Sequence, residues 1–265
     1  QKLLSTYIDN IPHMLDKDSR LHTTYEQAGT TTGRMSSVNP NLQNIPIKSE
    51  LGHKIRRAFI AEKDFKLVAL DYSQIELRVA AFLSGDKKLL QIFRDGRDVH
   101  TEVAAQVFKV GTEKVTSEMR RRAKVINFGI LYGMGVTALR QNLGTSREEA
   151  QLFYNEYFTS FPGIASYLEK VKKETEARGY TETFFGRRRY FQGINSQIPY
   201  IKAMAERMAV NAPIQGTEAD IIKLAMIEID HFITEKNLSS KTYPLLQVHD
   251  ELVYEVAEAD AEEFT

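Results

Sequence analysis

LLQVHDELVYEV, residues 245–256, consists of two β-rich apolar runs separated by the polar pair His249 and Asp250. Two residues between strand-like runs is the spacing of a tight β-hairpin. Far upstream, FKLVALD (65–71) is a short apolar run that ends on an acid and reads as a buried strand. Between these ends the pattern changes. A helix is expected after Asp71, with Ile75, Val79, Phe82 and Leu83 on one face. Residues 86–180 read as mainly helical, broken near Gly111, Gly144 and Pro162. ETFFGRRRYF (182–191) fits a hairpin around Gly186, and two helices are expected to flank Pro213, the second aligning Ile222, Ala225, Ile229 and Phe232. At the start, LLSTYIDNIPHML (3–15) reads as a helix end and a turn at Pro12, and TTTGRMSSVNPNLQNIP (30–46) as irregular backbone. Strands at both ends around a helical block predict an α+β protein, a sheet-based domain with a helical insertion.

The 265 residues suffice for one large domain or two small ones, and 42% hydrophobic residues can fill a core. With no Cys, disulfides and thiolate metal sites are excluded, so a metal would rest on Asp, Glu, His or carbonyl oxygen. No apolar run is long enough to span a bilayer and the first residues lack a secretory pattern, so a cytoplasmic compartment is expected. The formal net charge is zero, yet the charges are segregated. Cations concentrate in RRRAK (120–124) and GRRRY (186–190), whereas the last 17 residues carry seven acids and no Lys or Arg.

RRRAKVINFGILYG (120–133) reads as a helix that begins with cations. At 100° per residue Arg120, Lys124, Phe128 and Tyr132 form one ladder, and Met119, Ala123, Ile126 and Ile130 form an opposite apolar face. Cations at the positive end of the macrodipole are poorly placed unless an anion sits against them. A ladder of cations and rings suits a ligand with phosphates at one end and a flat base at the other; a solvated basic helix with core rings is the competing reading. Asp71 ends its strand where a cleft could lie, or is a helix-entry acid. SQIE (73–76) has the spacing of a capping box, Ser73 at the N-cap and Glu76 at N3. Asp250 and Glu251 sit at the hairpin tip, where acids also occur for turn reasons alone. Brought together, carboxylates from the two strands would make a site for a hard divalent cation such as Mg²⁺. Asn211 and Gln215 lie at i and i+4 around Pro213, suited to read base edges or to cap a helix end.

The order of these segments is more specific than any one of them. DYSQIELRVAAFLSGD (71–86), RRRAKVINFGILYG (120–133) and QVHDELVYEV (247–256) resemble the three signature motifs of family A DNA polymerases, the bacterial polymerase-I type. TGRMSSVNPNLQNIP (32–46) and AERMAVNAPIQGTEADIIKLAM (205–226) match that family's primer–template segments. RRAFIA, DGRDVHTE and FGRRRYF extend the resemblance over nearly the whole chain.

The resemblance implies a right-hand polymerase fold: residues 1–20 the end of the thumb, 21–85 and 196–265 an antiparallel palm, and 86–195 the helical fingers. It implies template-directed transfer of a nucleotide from a dNTP to a primer 3′-hydroxyl, with release of pyrophosphate. Asp71 and Asp250 would hold two Mg²⁺ ions, with the Tyr72 carbonyl assisting and Glu251 nearby. His100, Arg120 and Lys124 would bind the triphosphate, Lys124 also as a proton donor. Phe128, Tyr132 and Gln74 would lie near the nascent pair, and Glu76 would crowd the sugar 2′ position. Arg34, Asn41, Gln43, Arg207, Asn211, Gln215 and His249 would contact primer or template DNA. A monomer acting at the nucleoid, with no membrane partner, is expected. Against the family pattern, thumb and C-terminal palm are largely missing, so a catalytically incompetent DNA-binding fragment is the alternative. A two-metal nuclease would have no use for the cation–aromatic helix, and SQIE speaks against an RNA polymerase.

Overall fold

The computed structural model describes residues 4–46 and 49–265; residues 1–3, at the start of the expected thumb end, and Ile47 and Lys48 lie outside it. In chain order the first elements are β1 (Thr24–Glu26), β2 (Ser36–Val38), α1 (Glu50–Arg56) and β3 (Phe65–Asp71). Then come α2 (Ile75–Ser84), α3 (Lys87–Arg94), α4 (Val99–Phe108), α5 (Ser117–Leu131), α6 (Val136–Leu143), α7 (Arg147–Ser160) and α8 (Pro162–Arg178). β4 (Tyr180–Glu182), β5 (Arg188–Tyr190), α9 (Pro199–Glu235), β6 (Thr242–Val248), β7 (Glu251–Ala257) and α10 (Ala261–Phe264) complete the chain. The chain divides into two compact units, Gln1–Ser73 with Ala219–Thr265, and Gln74–Glu218.

The first unit is built on an antiparallel sheet of order β3-β7-β6. The expected hairpin is present: Val248 pairs with Glu251 across a two-residue turn of His249 and Asp250. His249 adopts φ 56, the left-handed region a tight hairpin needs. β3 pairs with β7 so that Asp71 stands opposite Glu251 and Val68 opposite Tyr254. β3 has the predicted bounds but is not a buried strand. It is an edge strand with only one face covered, so Val68 is buried and Leu67 is 42% exposed. On the covered face Leu252, Tyr254 and Val256 are buried, and the Tyr254 ring meets Phe264 of α10 at 5.2 Å. On the other face the buried Glu255 is neutralised by Arg20 at 2.9 Å and accepts the Glu62 N–H at 2.9 Å, which satisfies a charge that would otherwise be costly there. Part of the stretch expected to be irregular, Ser36–Val38, is instead a short strand paired with Thr24–Glu26. The expected helix end at the start is a π-helical segment, Leu4–Asp9, followed by a 3₁₀ turn, Ile11–Met14, that contains Pro12.

The second unit is helical, with breaks where the sequence signals them. Gly144 caps α6 at φ 63, and Pro162 occupies the first turn of α8. Asp86 is the N-cap of α3, accepting the Leu89 N–H at 3.0 Å, and its second oxygen accepts the Gly163 N–H at 2.8 Å. A Cβ at Gly163 would lie 2.7 Å from the Asp86 Cα, so only glycine permits this approach. β4 and β5 form the expected hairpin around Gly186, which has φ 86. Leu77, Leu89, Ile92, Val99, Ile126 and Ile130 are among the buried side chains.

The two helices expected around Pro213 are one helix, α9, which runs through the proline and contributes to both units. A proline inside a helix costs about 3 kcal/mol through its missing N–H and its clash with the preceding turn. Packing supplies the compensation: Ala205, Ala209 and Ala212 cluster with Phe191 and Ile194, and Val210 and Ile214 are buried beside them.

Candidate functional site

Asp71 and Asp250, 179 residues apart in sequence, converge at one end of the sheet. The Tyr72 N–H donates to the Asp250 carbonyl at 3.2 Å, directly after the Asp71–Glu251 pair. Partial burial, and then the charge of Asp250, raise the Asp71 carboxyl above its ordinary value. Glu251 beside them is half-buried and lies 3.9 Å from Arg56. Among the described residues no cluster of three or more His, Cys, Asp or Glu side chains gathers around one point. A cation here would therefore draw on two carboxylates, a main-chain carbonyl such as that of Tyr72, and water. That donor set fits Mg²⁺, which keeps several waters and takes few protein ligands.

In the second unit the ladder on α5 is present. Arg120 and Lys124 are exposed, Phe128 and Tyr132 half-buried, while Ala123, Ile126 and Ile130 are buried on the opposite side. The rings of Phe128 and Tyr132 lie 6.1 Å apart, with Tyr132 just past the helix end. The expectation that the arginines occupy the first turn is corrected. The helix starts at Ser117, with Thr116 accepting the Met119 N–H at 3.2 Å and Glu118 in the first turn, where an acid suits the macrodipole. Nor are the arginines an unrelieved block of charge. Arg121 pairs with Glu118 at 2.6 Å and Arg122 with Glu149 at 3.0 Å. Asp98 engages Arg120 through two bonds, Nε at 2.9 Å and Nη2 at 3.0 Å. Lys124 carries no ion pair among the described residues and stays exposed.

His100, on α4, is 3% exposed with its ring 5.8 Å from that of Phe128. Its Nδ1 lies 3.1 Å from the Asn127 amide nitrogen. Burial draws its pKa down to about 4, with Asp98 opposing and Arg120 and Lys124 assisting. The imidazole is therefore neutral near pH 7. With Nδ1 as acceptor, the proton sits on Nε2.

The capping-box reading of SQIE is not what forms. Gln74, not Ser73, is the N-cap of α2; it has φ 58 and makes no side-chain cap bond. Glu76 points inward, 7% exposed, and accepts a hydrogen bond from the Tyr132 hydroxyl. The structure thus joins Glu76 and Tyr132, two residues from separate motifs.

Arg207, Asn211 and Gln215 follow one another at i+4 along α9, on its less buried side, and the Asn211 Oδ1 has no hydrogen-bond partner among the described residues. In the first unit Gln43 is engaged internally, donating to the carbonyl and side-chain oxygens of Gln247, each at 3.1 Å. Exposed Asn41 accepts the Gln43 N–H at 3.0 Å, and half-buried Arg34 gives its carbonyl to the Thr30 hydroxyl at 2.7 Å. His249 is exposed at the hairpin tip. Two residues of this neighbourhood went unassigned in the sequence reading, Asp98 and Asn127. The only signal for Asp98 was its position two residues before His100 at a helix start; Asn127 lies between ladder positions and had none.

The family model "DNA polymerase family A" matches residues 1–265. The chain is 52% identical over 262 residues to "DNA polymerase I, thermostable" of Thermus aquaticus, covering 98% of this chain and 31% of that protein. It is 48% identical over 258 residues to DNA polymerase I of Pseudomonas aeruginosa, covering 97% of this chain and 28% of that one. The chain thus spans under a third of the length of these relatives. Among solved structures, the POL domain of Pol1 from M. smegmatis, in complex with DNA primer-template and dNTP, superposes with TM-score 0.94 at 44% identity, over 99% of this chain and 46% of that one. The right-hand polymerase fold expected from the sequence is the fold this likeness supports.

Proposed function

This chain belongs to DNA polymerase family A, and from that membership we propose that it performs template-directed DNA synthesis, transferring a nucleotide from a dNTP to a primer 3′-hydroxyl with release of pyrophosphate. The observation that carries the reading is the convergence of Asp71 and Asp250 at the sheet end, where burial and then the charge of Asp250 disfavour ionisation of Asp71. In this reading Asp71, Asp250 and the Tyr72 carbonyl hold two Mg²⁺ ions, with Glu251 alongside. Bound there, the ions supply activation of the primer hydroxyl and neutralisation of charge on the leaving phosphate.

The chain's own residues do the rest. Arg120 and Lys124 bind the triphosphate, Arg120 as a planar fork and Lys124 as a mobile point charge. His100 donates from Nε2 as a neutral group, and Lys124 is positioned by its role to protonate the departing pyrophosphate. Phe128 and Tyr132 pack beside the new base pair, with Gln74 near it. Glu76, held by Tyr132, occupies the space a ribose 2′-hydroxyl would need. Arg207, Asn211 and Gln215, with Arg34, Asn41, Gln43 and His249, contact primer and template; the Asn211 Oδ1, without a hydrogen-bond partner among the described residues, supports this for α9. Template pairing supplies the sequence, since no side chain reads one base. Residues 1–20 correspond to the thumb end, 21–85 and 196–265 to palm, and 86–195 to fingers. The protein acts as a monomer in the cytoplasm, at the nucleoid. No helix among the described residues is long and apolar enough to cross a membrane.

Primer extension with Mg²⁺ and all four dNTPs tests the reading. Template-dependent extension is the expected result. DNA retention in a gel shift without extension would leave a DNA-binding fragment, and loss of both would refute the assignment.

A further inference from the structure

We propose that Asp98 is a positioning residue for the triphosphate site, a fixed post that orients the Arg120 guanidinium toward phosphate; this rests on the reading of Arg120 given above.

Asp98 precedes α4 as its N-cap. Its Oδ2 accepts three bonds, from the Thr101 N–H at 2.8 Å, the Thr101 hydroxyl at 2.6 Å and the Arg120 Nε at 2.9 Å, while Oδ1 accepts from Nη2 at 3.0 Å. The neighbouring Arg121 is held differently. Glu118, the partner of Arg121, lies one turn away on the same helix, and both side chains are 59% exposed. That pair can part at little cost. Asp98 cannot swing away without uncapping α4, so it is not a lid that opens for the ligand. Its carboxylate fixes the plane and one edge of the guanidinium. The remaining N–H groups of Arg120, 48% exposed, are left for an incoming anion, and Lys124 stands one turn further along the same exposed ladder. Arginine side chains lose much rotamer freedom on binding, and a fork oriented in advance has less to lose.

A fixed post and a competing anion make opposite predictions. If Asp98 merely competed with phosphate, its removal would tighten binding. If it orients Arg120, its removal weakens binding, but only while Arg120 is there to be oriented. The test is calorimetric titration of inorganic triphosphate with Mg²⁺ into the whole chain, for the unmodified protein, Asp98→Asn, Arg120→Gln and the double variant. Asn keeps the cap while losing the charge; Asp98→Ser serves as a second cap-preserving change, and thermal melts confirm folding. Asp98→Asn is expected to raise Kd by about three- to ten-fold, and in the Arg120→Gln background to leave Kd unchanged or lower it. Tighter binding by Asp98→Asn, or an equal loss in both backgrounds, overturns the role of Asp98. Unaltered affinity in Arg120→Gln, or no binding by the unmodified chain, overturns the triphosphate reading of Arg120 itself.

Discussion

Burial draws the His100 pKa down to about 4, against an ordinary value near 6.5, so this side chain is neutral when folded and readily charged when unfolded. The sign follows: its contribution to stability is complete above about pH 6.5 and is lost as the pH falls toward 4. Urea unfolding at stepped pH should show up to ~3 kcal/mol lost through this window, and His100→Gln should flatten that limb. Asp71 behaves oppositely. Its raised pKa means the ionised form is disfavoured in the fold, so stability is greater at acid pH and is lost as the carboxyl ionises. In metal-free buffer at neutral pH, Asp71→Asn or Asp250→Asn should raise Tm by about 1–2 °C, for roughly 0.5 kcal/mol at so open a position. The gain should vanish below the carboxylate range. The same variants should abolish nucleotide incorporation while DNA remains bound; retained activity in both would refute the metal-holding role. Both outcomes together, a carboxyl whose ionised form weakens the fold and whose replacement abolishes activity, would be the signature of a site built for a ligand.

At the scale of elements, α2 and the end of α5 are joined through Glu76 and Tyr132. A buried carboxylate that loses such a donor is left under-satisfied. Tyr132→Phe should therefore destabilise the protein by about 1–2 kcal/mol in denaturant titration and loosen discrimination against ribonucleotides. Glu76→Ala should admit ribonucleotides outright, and unchanged sugar selectivity would reduce this residue to a structural acid. α9 teaches a different lesson. Its proline lies within the segment proposed to contact primer and template, and the sequence rule that proline ends helices fails there because Ala209, Val210, Ala212 and Ile214 are all buried around it.

Over the whole molecule the zero net charge conceals a division. The sheet unit carries 13 Lys and Arg against 19 Asp and Glu, and the helical unit 22 against 16. The acidic excess accompanies the carboxylates proposed to hold Mg²⁺, and the basic excess the residues proposed to bind phosphate. Lys124→Ala, which removes a cation that has no ion-pair partner among the described residues, should lower kcat/KM for nucleotide by about 10- to 100-fold with duplex affinity in a gel shift little changed. Collapse of duplex binding alone would move Lys124 from the nucleotide to the DNA.

The amino-acid sequence by itself determined what depends on neighbours along the chain. The hairpin at 249–250, the strand ending at Asp71, the helical breaks at Gly144 and Pro162 and the cation–aromatic ladder of α5 follow from periodicity, turn chemistry and capping, and all were legible. The order of three motifs was specific enough to point to the family. Tertiary structure alone decided what depends on distant partners. It brought Asp71 beside Asp250, turned Glu76 from a capping position to Tyr132, carried α9 through Pro213, and set Asp98 against Arg120. Long-range pairing obeys packing and charge compensation across the folded chain, and neither leaves a period in the sequence that records it.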